Sequence, residues 1–337
     1  MSSICLAWFS ERRSAQLRMG DRNQVRLLWG AAALVAGVVV FTLIYKGSTG
    51  LQWILSGLTV GSIYALVAMG FSVIYSSTHV INFAQGEFTM LGGVMMFTLC
   101  TSGGLPLWLG FLLTVGIVTL LGAGLERAAI HPLKDQSVIT VIIVTIGMAI
   151  FIRALAKWIW GTDPVKVASF TGDKPLRFFG ASIVPQSLWV FGLTLLAVVL
   201  VFAFFNRTLL GKGMRAAADN PDAASLVGIS ASTSSLVAWS IAAAVGAAAG
   251  AVIAPINFAA YDAGAMLGLK GFSAAVLGGL GSAPGAVVGG LVLGVLEMIT
   301  AGFAPSGYKD AVAFLILILV LLIRPQGLLG KPADVKV

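Results

Sequence analysis

The sequence predicts an all-α, polytopic transmembrane helix bundle, and three observations carry that reading. Hydrophobic residues make up 58% of the 337 and charged residues only 10%, against about 25% charge in a soluble domain. Apolar runs long enough to cross a bilayer recur from one end of the chain to the other. The turns between them are short and rich in Gly, Pro, Ser and Asp.

Residues 1–27 are polar and basic, with Arg12, Arg13, Arg18, Arg22 and Arg26 against Glu11 and Asp21. The first apolar run follows at 27–45. A long basic lead and the lack of a clear small-residue cleavage site favour an uncleaved span over a signal peptide. Further runs cover 51–75, 83–101, 105–125, 138–160, 188–205, 234–256, 271–300 and 311–323, which gives about eight or nine spans. The stretch 271–300 is too long for one simple span and contains Gly281-Ser282-Ala283-Pro284-Gly285. Pro284 lacks a backbone donor and glycine suits a bend, so the helix must kink or turn there. Parity favours a broken, re-entrant pair of short segments. The break is expected inside the bundle, because irregular backbone at membrane depth needs shelter.

With the N-terminus in the cytoplasm, 1–27, 76–82, 126–137, 206–233 and the tail from Arg324 are cytoplasmic. Thirteen of the 21 Lys and Arg residues then lie inside, the bias expected of cytoplasmic loops. Arg153 and Lys157 fall near an outer helix end, where they would snorkel to the interface, and Lys270 is counted near an outer end as well. Glu126 and Arg127 read as an interfacial pair, and Glu297 as either embedded or at the outer edge. Asn257, Tyr261 and Asp262 are expected outside. The largest external segment, 161–187, reads as a small extended or hairpin-like cap, either passive or a platform for an external partner.

Several function classes are excluded. The basic residues are scattered, with no basic stripe and interleaved aromatics for nucleic acid. Cys5 and Cys100 make no disulfide framework, and His79 and His131 are isolated, so no metal site is expected. No set of carboxylates, Ser/His/Asp or clustered His converges on catalysis. No G-x-x-x-x-G-K-[ST] occurs, since Gly211-Lys212-Gly213 and Gly330-Lys331-Pro332 lack its context. No cofactor is expected in this chain, and any ATP would be bound by another.

Two stretches are candidates for function. Asn206 to Gly228, with Arg207, Lys212 and Arg215, is the longest polar interruption in the second half. Asn220 can N-cap a short helix, Pro221 suits its first position, Asp222 its first turn, and Gly228 the left-handed residue past its end. A helix from Pro221 to Val227 is too short to stand alone, and Ala223, Ala224, Leu226 and Val227 give it small apolar faces. It reads either as a loop capping its own membrane helices or as a docking element for a cytoplasmic partner. The second candidate is Asn82-Phe83-Ala84-Gln85-Gly86-Glu87, polar where the membrane begins. Glu87 there either complements a helix dipole or belongs to a conformational path. Glycines at four-residue spacing, Gly57–Gly61, Gly246–Gly250, Gly281–Gly285–Gly289 and Gly290–Gly294, predict close helix packing.

The sequences LTVGSIYAL (58–66) and INFAQGE (81–87) resemble the opening of branched-chain amino-acid ABC transporter permeases of the LivH type. AAVLGGLGS (274–282) with Pro284-Gly285, the loop from Gly211 to Gly228 and RPQGLLG (324–330) resemble later segments of that family. The resemblance covers 51–337 as the permease domain and leaves 1–50 as an extension with an additional span, Met19 being an alternative start; Gln85 stands where relatives commonly have His. It implies a multi-pass subunit of a bacterial inner-membrane importer for branched-chain or related amino acids. Partners would be a second permease, two cytoplasmic ATPases carrying ATP and Mg, and a periplasmic solute-binding protein. Gly211, Arg215, Asn220, Pro221, Leu226, Val227 and Gly228 would form the ATPase-coupling element. Asn82, Gln85, Glu87, Gly281, Ser282, Pro284 and Gly285 would lie on the translocation path or its gate. The scaffold also suits importers of urea, amides or other small solutes. A stand-alone secondary transporter and an intramembrane enzyme are the readings from other classes.

Overall fold

The computed structural model describes residues 2–133, 137–324 and 326–330. Lys134, Pro325, Lys331 and Lys336 lie outside the described residues, as do the side chains of the N-terminal arginines. The chain divides into two compact units, Met1–Leu51 and Gln52–Val337. The first helical element, α1 (Ser2–Thr78), leaves helical geometry at Gly47, with φ 53° and ψ −124°. The runs predicted at 27–45 and 51–75 therefore fall in two helices that meet at this glycine.

The second unit continues with α2 (Gln85–Met96), which passes into a π-helical stretch, Phe97–Ser102. Next come α3 (Leu107–Leu125), with π and 3₁₀ turns to Leu133, and α4 (Val138–Trp160). The segment before α5 (Pro185–Arg207) carries a hairpin of β1 (Leu176–Phe178) and β2 (Ala181–Ile183), with Phe178 opposite Ala181. Then follow α6 (Leu209–Asp219), α7 (Pro221–Leu226), α8 (Ala231–Asn257), α9 (Ala263–Gly278), α10 (Ala283–Phe303) and α11 (Lys309–Ile323). Six helices among the described residues are long and apolar enough to cross a membrane, and α9 is a shorter apolar one. The chain is a multi-pass membrane protein. Hydroxyl N-caps fix where several helices begin: Ser137 for α4, Thr208 for α6, Ser230 for α8 and Ser282 for α10.

Two ends of the second unit can be told apart. At one end His79 bonds Ala218 O, His131 bonds Ser232, and Leu329 N donates to Gly278 O; this is the α7 end. At the other, Gln52 bonds Ser182 and Val165 pairs with Ala259; this is the hairpin end.

The break expected within 271–300 is a turn at 279–282 between two helices, and α9 starts at Ala263 rather than near Gly271. It does not lie inside the bundle. It sits at the α7 end with Gly281 and Pro284 exposed, and the 326–330 segment bonds the last carbonyls of α9 beside it. Leu328 N donates to Leu277 O and Leu329 N to Gly278 O, each at 2.8 Å. Pro284 falls in the first turn of α10, where a missing N–H costs nothing. The short helix α7 ends at Leu226, one residue before the expected Val227, and is preceded by α6, which sequence reading left as loop.

Small residues set the helix contacts. Gly57 and Gly61 of α1 meet Gly290 and Gly294 of α10 so closely that a Cβ on Gly294 would fall 2.3 Å from the Gly61 Cα. Gly250 of α8 lies against α2, its Cβ position 1.8 Å from Thr89 O. In lipid there is no hydrophobic drive between helices, so such close approach supplies the dispersion energy that holds them. Around it packs a core with Phe88 edge-to-face on Trp239, ring centroids 6.3 Å apart.

Gly285 belongs to this packing, since a Cβ there would lie 2.4 Å from Gly278 O. Gly285→Leu is expected to lower stability by about 1–3 kcal/mol or block folding. Gly147, with no neighbour within 4 Å of its Cβ position, is the control. Gly147→Ala should be neutral or stabilising by up to ~1 kcal/mol. Thermal unfolding of the purified protein in detergent checks both.

Candidate functional site

After α1 the chain runs into the bundle before α2 begins. Phe83 N donates to Thr145 Oγ1 at 3.2 Å, and Thr145 lies about 10 Å along α4 from Val138 at ~1.5 Å per residue. The irregular segment is sheltered by its own polar side chains. Asn82 Oδ1 accepts from Ala84 N at 2.9 Å, and the fully buried Gln85 donates through Nε2 to Ala242 O at 3.0 Å. Asn82 Nδ2 and Gln85 Oε1 are buried without a partner among the described residues.

Glu87 follows in the first turn of α2 and is 1% exposed. It pairs with Arg153 of α4, through Arg153 Nη2 to Glu87 Oε1. Arg153 therefore does not snorkel outward. It lies about 22 Å along α4 from Val138 and about 10 Å from Trp160, and the buried carboxylate holds it. The pair borders a recess of about 240 Å³ between α4, α9 and the approach to α2, with Phe83, Ile150 and Phe272 in its walls. Glu87 Oε2 and Arg153 Nε are buried and take no hydrogen bond among the described residues.

A second ion cluster lies on the other side of α9. Lys270 Nζ is 2.7 Å from Glu297 Oε1 of α10 and 2.6 Å from Asp310 Oδ1 of α11. Tyr64 of α1 donates to Glu297 Oε2 at 2.9 Å, and its ring lies under the ammonium at 5.5 Å. Lys270 is buried, not near an outer end as expected, and Glu297 is embedded, 3% exposed. One cation thus ties four helices together.

At the α7 end, Asn220 Oδ1 caps α7 by accepting from Ala223 N at 3.0 Å, and Gly228 past its end has φ 82°. Ala224 is buried, while Leu226 and Val227 are 88% and 74% exposed. Gly211 packs α6 on α5, its Cβ position 2.3 Å from Phe204 O. Arg215 bonds Asn206 Oδ1 and Phe205 O, which anchors α6 on the last turn of α5. Arg215, Gly281, Ser282 and Pro284 line one recess of about 440 Å³ with Tyr75 and His79. The sequence candidates therefore form three groups: α7 with its caps, the turn beside Arg215, and Asn82, Gln85 and Glu87 deeper in the bundle.

Glu126 does not pair with Arg127. Glu126 is buried in a π turn, its Oε2 without a partner among the described residues, and Arg127 on the same turn is exposed. Arg153, Lys270, Asp310 and Tyr64 were missed as site residues. The signal that could have found Arg153 is a cation well inside an apolar run. Removing one member of the Lys270 cluster strands the others. Lys270→Met is expected to destabilise by about 3–5 kcal/mol, more than the triple change Lys270→Met/Glu297→Leu/Asp310→Asn. Unfolding midpoints of the purified variants test this ordering.

The chain matches the family profile described as "Branched-chain amino acid transport system / permease component" over residues 53–321. It is 35% identical over 300 residues to the high-affinity branched-chain amino acid transport system permease protein LivH of Escherichia coli, covering 85% of this chain and 97% of that one. Identity to the corresponding protein BraD of Pseudomonas aeruginosa is 36% over 303 residues, 85% of this chain and 98% of the other. A more distant relative, the fructose import permease protein FruF of Bifidobacterium longum, is 22% identical over 60% of this chain and 58% of its own length. The multi-pass helical bundle, with no metal-binding cluster among its described residues, belongs to the family of branched-chain amino acid transport system permease components, and the chain is a transport permease subunit of the ABC importer class rather than an enzyme.

Proposed function

We propose that this subunit moves branched-chain amino acids across the bacterial inner membrane, with α7 as the element that receives motion from an ATPase. The observation that carries the coupling role is α7 itself. It is six residues long, capped by Asn220 and Gly228, and turns Leu226 and Val227 outward at the end of the bundle. A helix of that length is not stable alone, and two large apolar side chains held in the open suit a groove on a partner. Two ATPases carrying ATP and Mg, a second permease and a periplasmic binding protein complete the assembly. Nucleotide bound differently by two states of the ATPases would shift the bundle between access states. The α7 end would be cytoplasmic, as would the N-terminus. Asn82, Gln85 and Glu87, together with Gly281, Ser282, Pro284 and Gly285, would lie on the path or its gate. The amino-acid substrate is suggested by the names of the relatives with 35–36% identity. A second reading is another small solute on the same scaffold, such as urea or an amide; the distant likeness to a permease named for fructose supports a solute outside the amino acids.

Uptake and ATPase capture test the coupling role. Leu226→Asp should bury an unpaired charge in the groove, which costs more than the ~1–3 kcal/mol of a neutral polar group, so ATPase recovered with the permease falls roughly tenfold or more. Gly228→Val should force a β-branched residue into positive φ and displace the end of α7. Both variants should reach the membrane folded. Normal uptake by Leu226→Asp with its ATPases bound would sink the assignment, and uptake that persists without any ATPase would favour a secondary transporter. For orientation, a cysteine placed at Ser14 in a background lacking Cys5 and Cys100 should resist an impermeant thiol reagent in intact cells; ready labelling would reverse the topology.

A further inference from the structure

We propose that the recess beside Glu87 and Arg153 is a transit site for the zwitterionic head group of an apolar amino acid. The inference rests on the importer reading above and assigns the place within this subunit where solute is recognised. Four observations carry it.

The recess holds both charges that an α-amino acid needs to meet. Glu87 accepts from Arg153 through Oε1 alone, which leaves Oε2 buried and unpartnered. Arg153 donates through Nη2 to that carboxylate, and its buried Nε has no partner. A free acceptor on a carboxylate complements an ammonium, and a free guanidinium donor complements a carboxylate. Both atoms are buried in the wall of the recess, and leaving them unmet costs the desolvation of each group; a zwitterion that entered between the two side chains would offset that cost.

The walls suit an apolar side chain. Phe71, Phe83, Ile146, Leu269 and Phe272 surround the pair. The recess, of about 240 Å³, has room for a small solute.

The charges at the mouth of the recess favour a polar occupant. The recess opens on the side of the bundle, where Ile146 and Ile150 of α4 are 42% and 61% exposed and the Arg153 side chain is 32% exposed. A guanidinium on a membrane helix generally faces the bundle interior or a water-filled cavity, and Arg153 does so here through its pairing with the buried Glu87.

The backbone at the site is built for close approach and charge. Glu87 lies in the first turn of α2, a helix that begins inside the bundle after an irregular buried segment. Helix N-termini at membrane depth, exposed by such breaks, are where solute and ion groups are held in membrane transporters. Gly264 and Gly268 of α9 pass within contact of this turn: a Cβ on Gly264 would lie 2.6 Å from Glu87 Oε2. Glycine here leaves the carboxylate room beside the α9 backbone.

The test uses the whole importer reconstituted in proteoliposomes, with L-leucine as the probe and its binding protein supplied outside. Leucine imported and ATP hydrolysed are measured together. Glu87→Gln and Arg153→Gln should each lower leucine moved per ATP by about tenfold or more, the loss expected for one charged hydrogen bond. Leu269→Trp, which fills the recess and leaves the pair intact, should lower the same ratio. A wild-type ratio in either charge variant, or in Leu269→Trp, overturns the proposal. So does a parallel fall of uptake and hydrolysis at constant ratio, which is the result for a purely structural ion pair. Should the charge variants fail to assemble, Leu269→Trp alone decides. A wild-type complex that imports no leucine at all overturns the solute reading itself, and is told apart because it requires no variant.

Discussion

A lysine ammonium held between two carboxylates at membrane depth is the interaction on which the second unit depends most. Lys270 reaches Glu297 and Asp310 at 2.7 and 2.6 Å, and Tyr64 completes the set from α1. Lys270 and Glu297 are buried and Asp310 is partly exposed, so the buried charges depend on one another and on the Tyr64 hydroxyl, and removing one partner would leave the other uncompensated. Helices in lipid gain nothing from burying apolar surface against each other. A cluster that joins α1, α9, α10 and α11 therefore fixes their mutual position where Leu-to-Leu contact could not. The facing glycines of α1 and α10 work with it, since they allow the backbones close enough for Tyr64 and Glu297 to meet.

The Glu87–Arg153 pair obeys the same constraint on the other side of α9. Glu297 and Tyr64 lie about 21 Å, and Asp310 about 20 Å, along their helices from the α7 end, much as Arg153 does on α4. The two clusters thus share a depth, and α9 runs between them with Gly264 beside Glu87 and Lys270 on Glu297. Its far end is the turn at 279–282, in the recess that Arg215 and Tyr75 also line. This gives α9 a mechanical position that neither cluster has alone. One end touches the ion pairs, and the other touches the segment that carries α6 and α7. Its contacts with Gly86 and with Gly289 are backbone to backbone, which resist separation more than sliding.

Much of the fold was legible because its signals are local. Apolar runs marked most spans, and Asn220, Pro221 and Gly228 marked α7 to within a residue. Elements that depend on tertiary context were not. Helix α6 is short, carries Lys212, Arg215 and Asp219 among its Leu, Gly, Met and Ala residues, and buries only Gly211, Met214 and Ala217, so its pattern is that of a helix lying on a neighbour rather than crossing a membrane. The glycine-rich break was legible as a division into two short segments but was placed inside the bundle, because the sequence says nothing of the 326–330 segment that folds back to bond Leu277 and Gly278. Gly47 was a break of the opposite sort: a single residue of positive φ joining two runs that read as separate spans.

The site was less legible for a reason that charge balance makes plain. Positive residues were counted as topology signals, a use that holds for loops and fails for a cation deep in an apolar run. Arg153 and Glu87 lie within such runs, and so does Glu297, with Lys270 and Asp310 at the edges of others. Uncompensated charge is costly at that depth, so the composition alone demands that two bases be matched to these acids. It leaves open which pairs with which. Contact between α2 and α4 decides for Arg153 and Glu87, and the return of α10 along α9 decides for Lys270 and Glu297. Lys157, close to the hairpin end, escapes the constraint by reaching the surface over the Tyr261 ring, 5.7 Å from its centroid. Two cations four residues apart on one helix therefore have different fates, set by depth: the deeper one must find a carboxylate, and the shallower one needs only water and an aromatic face.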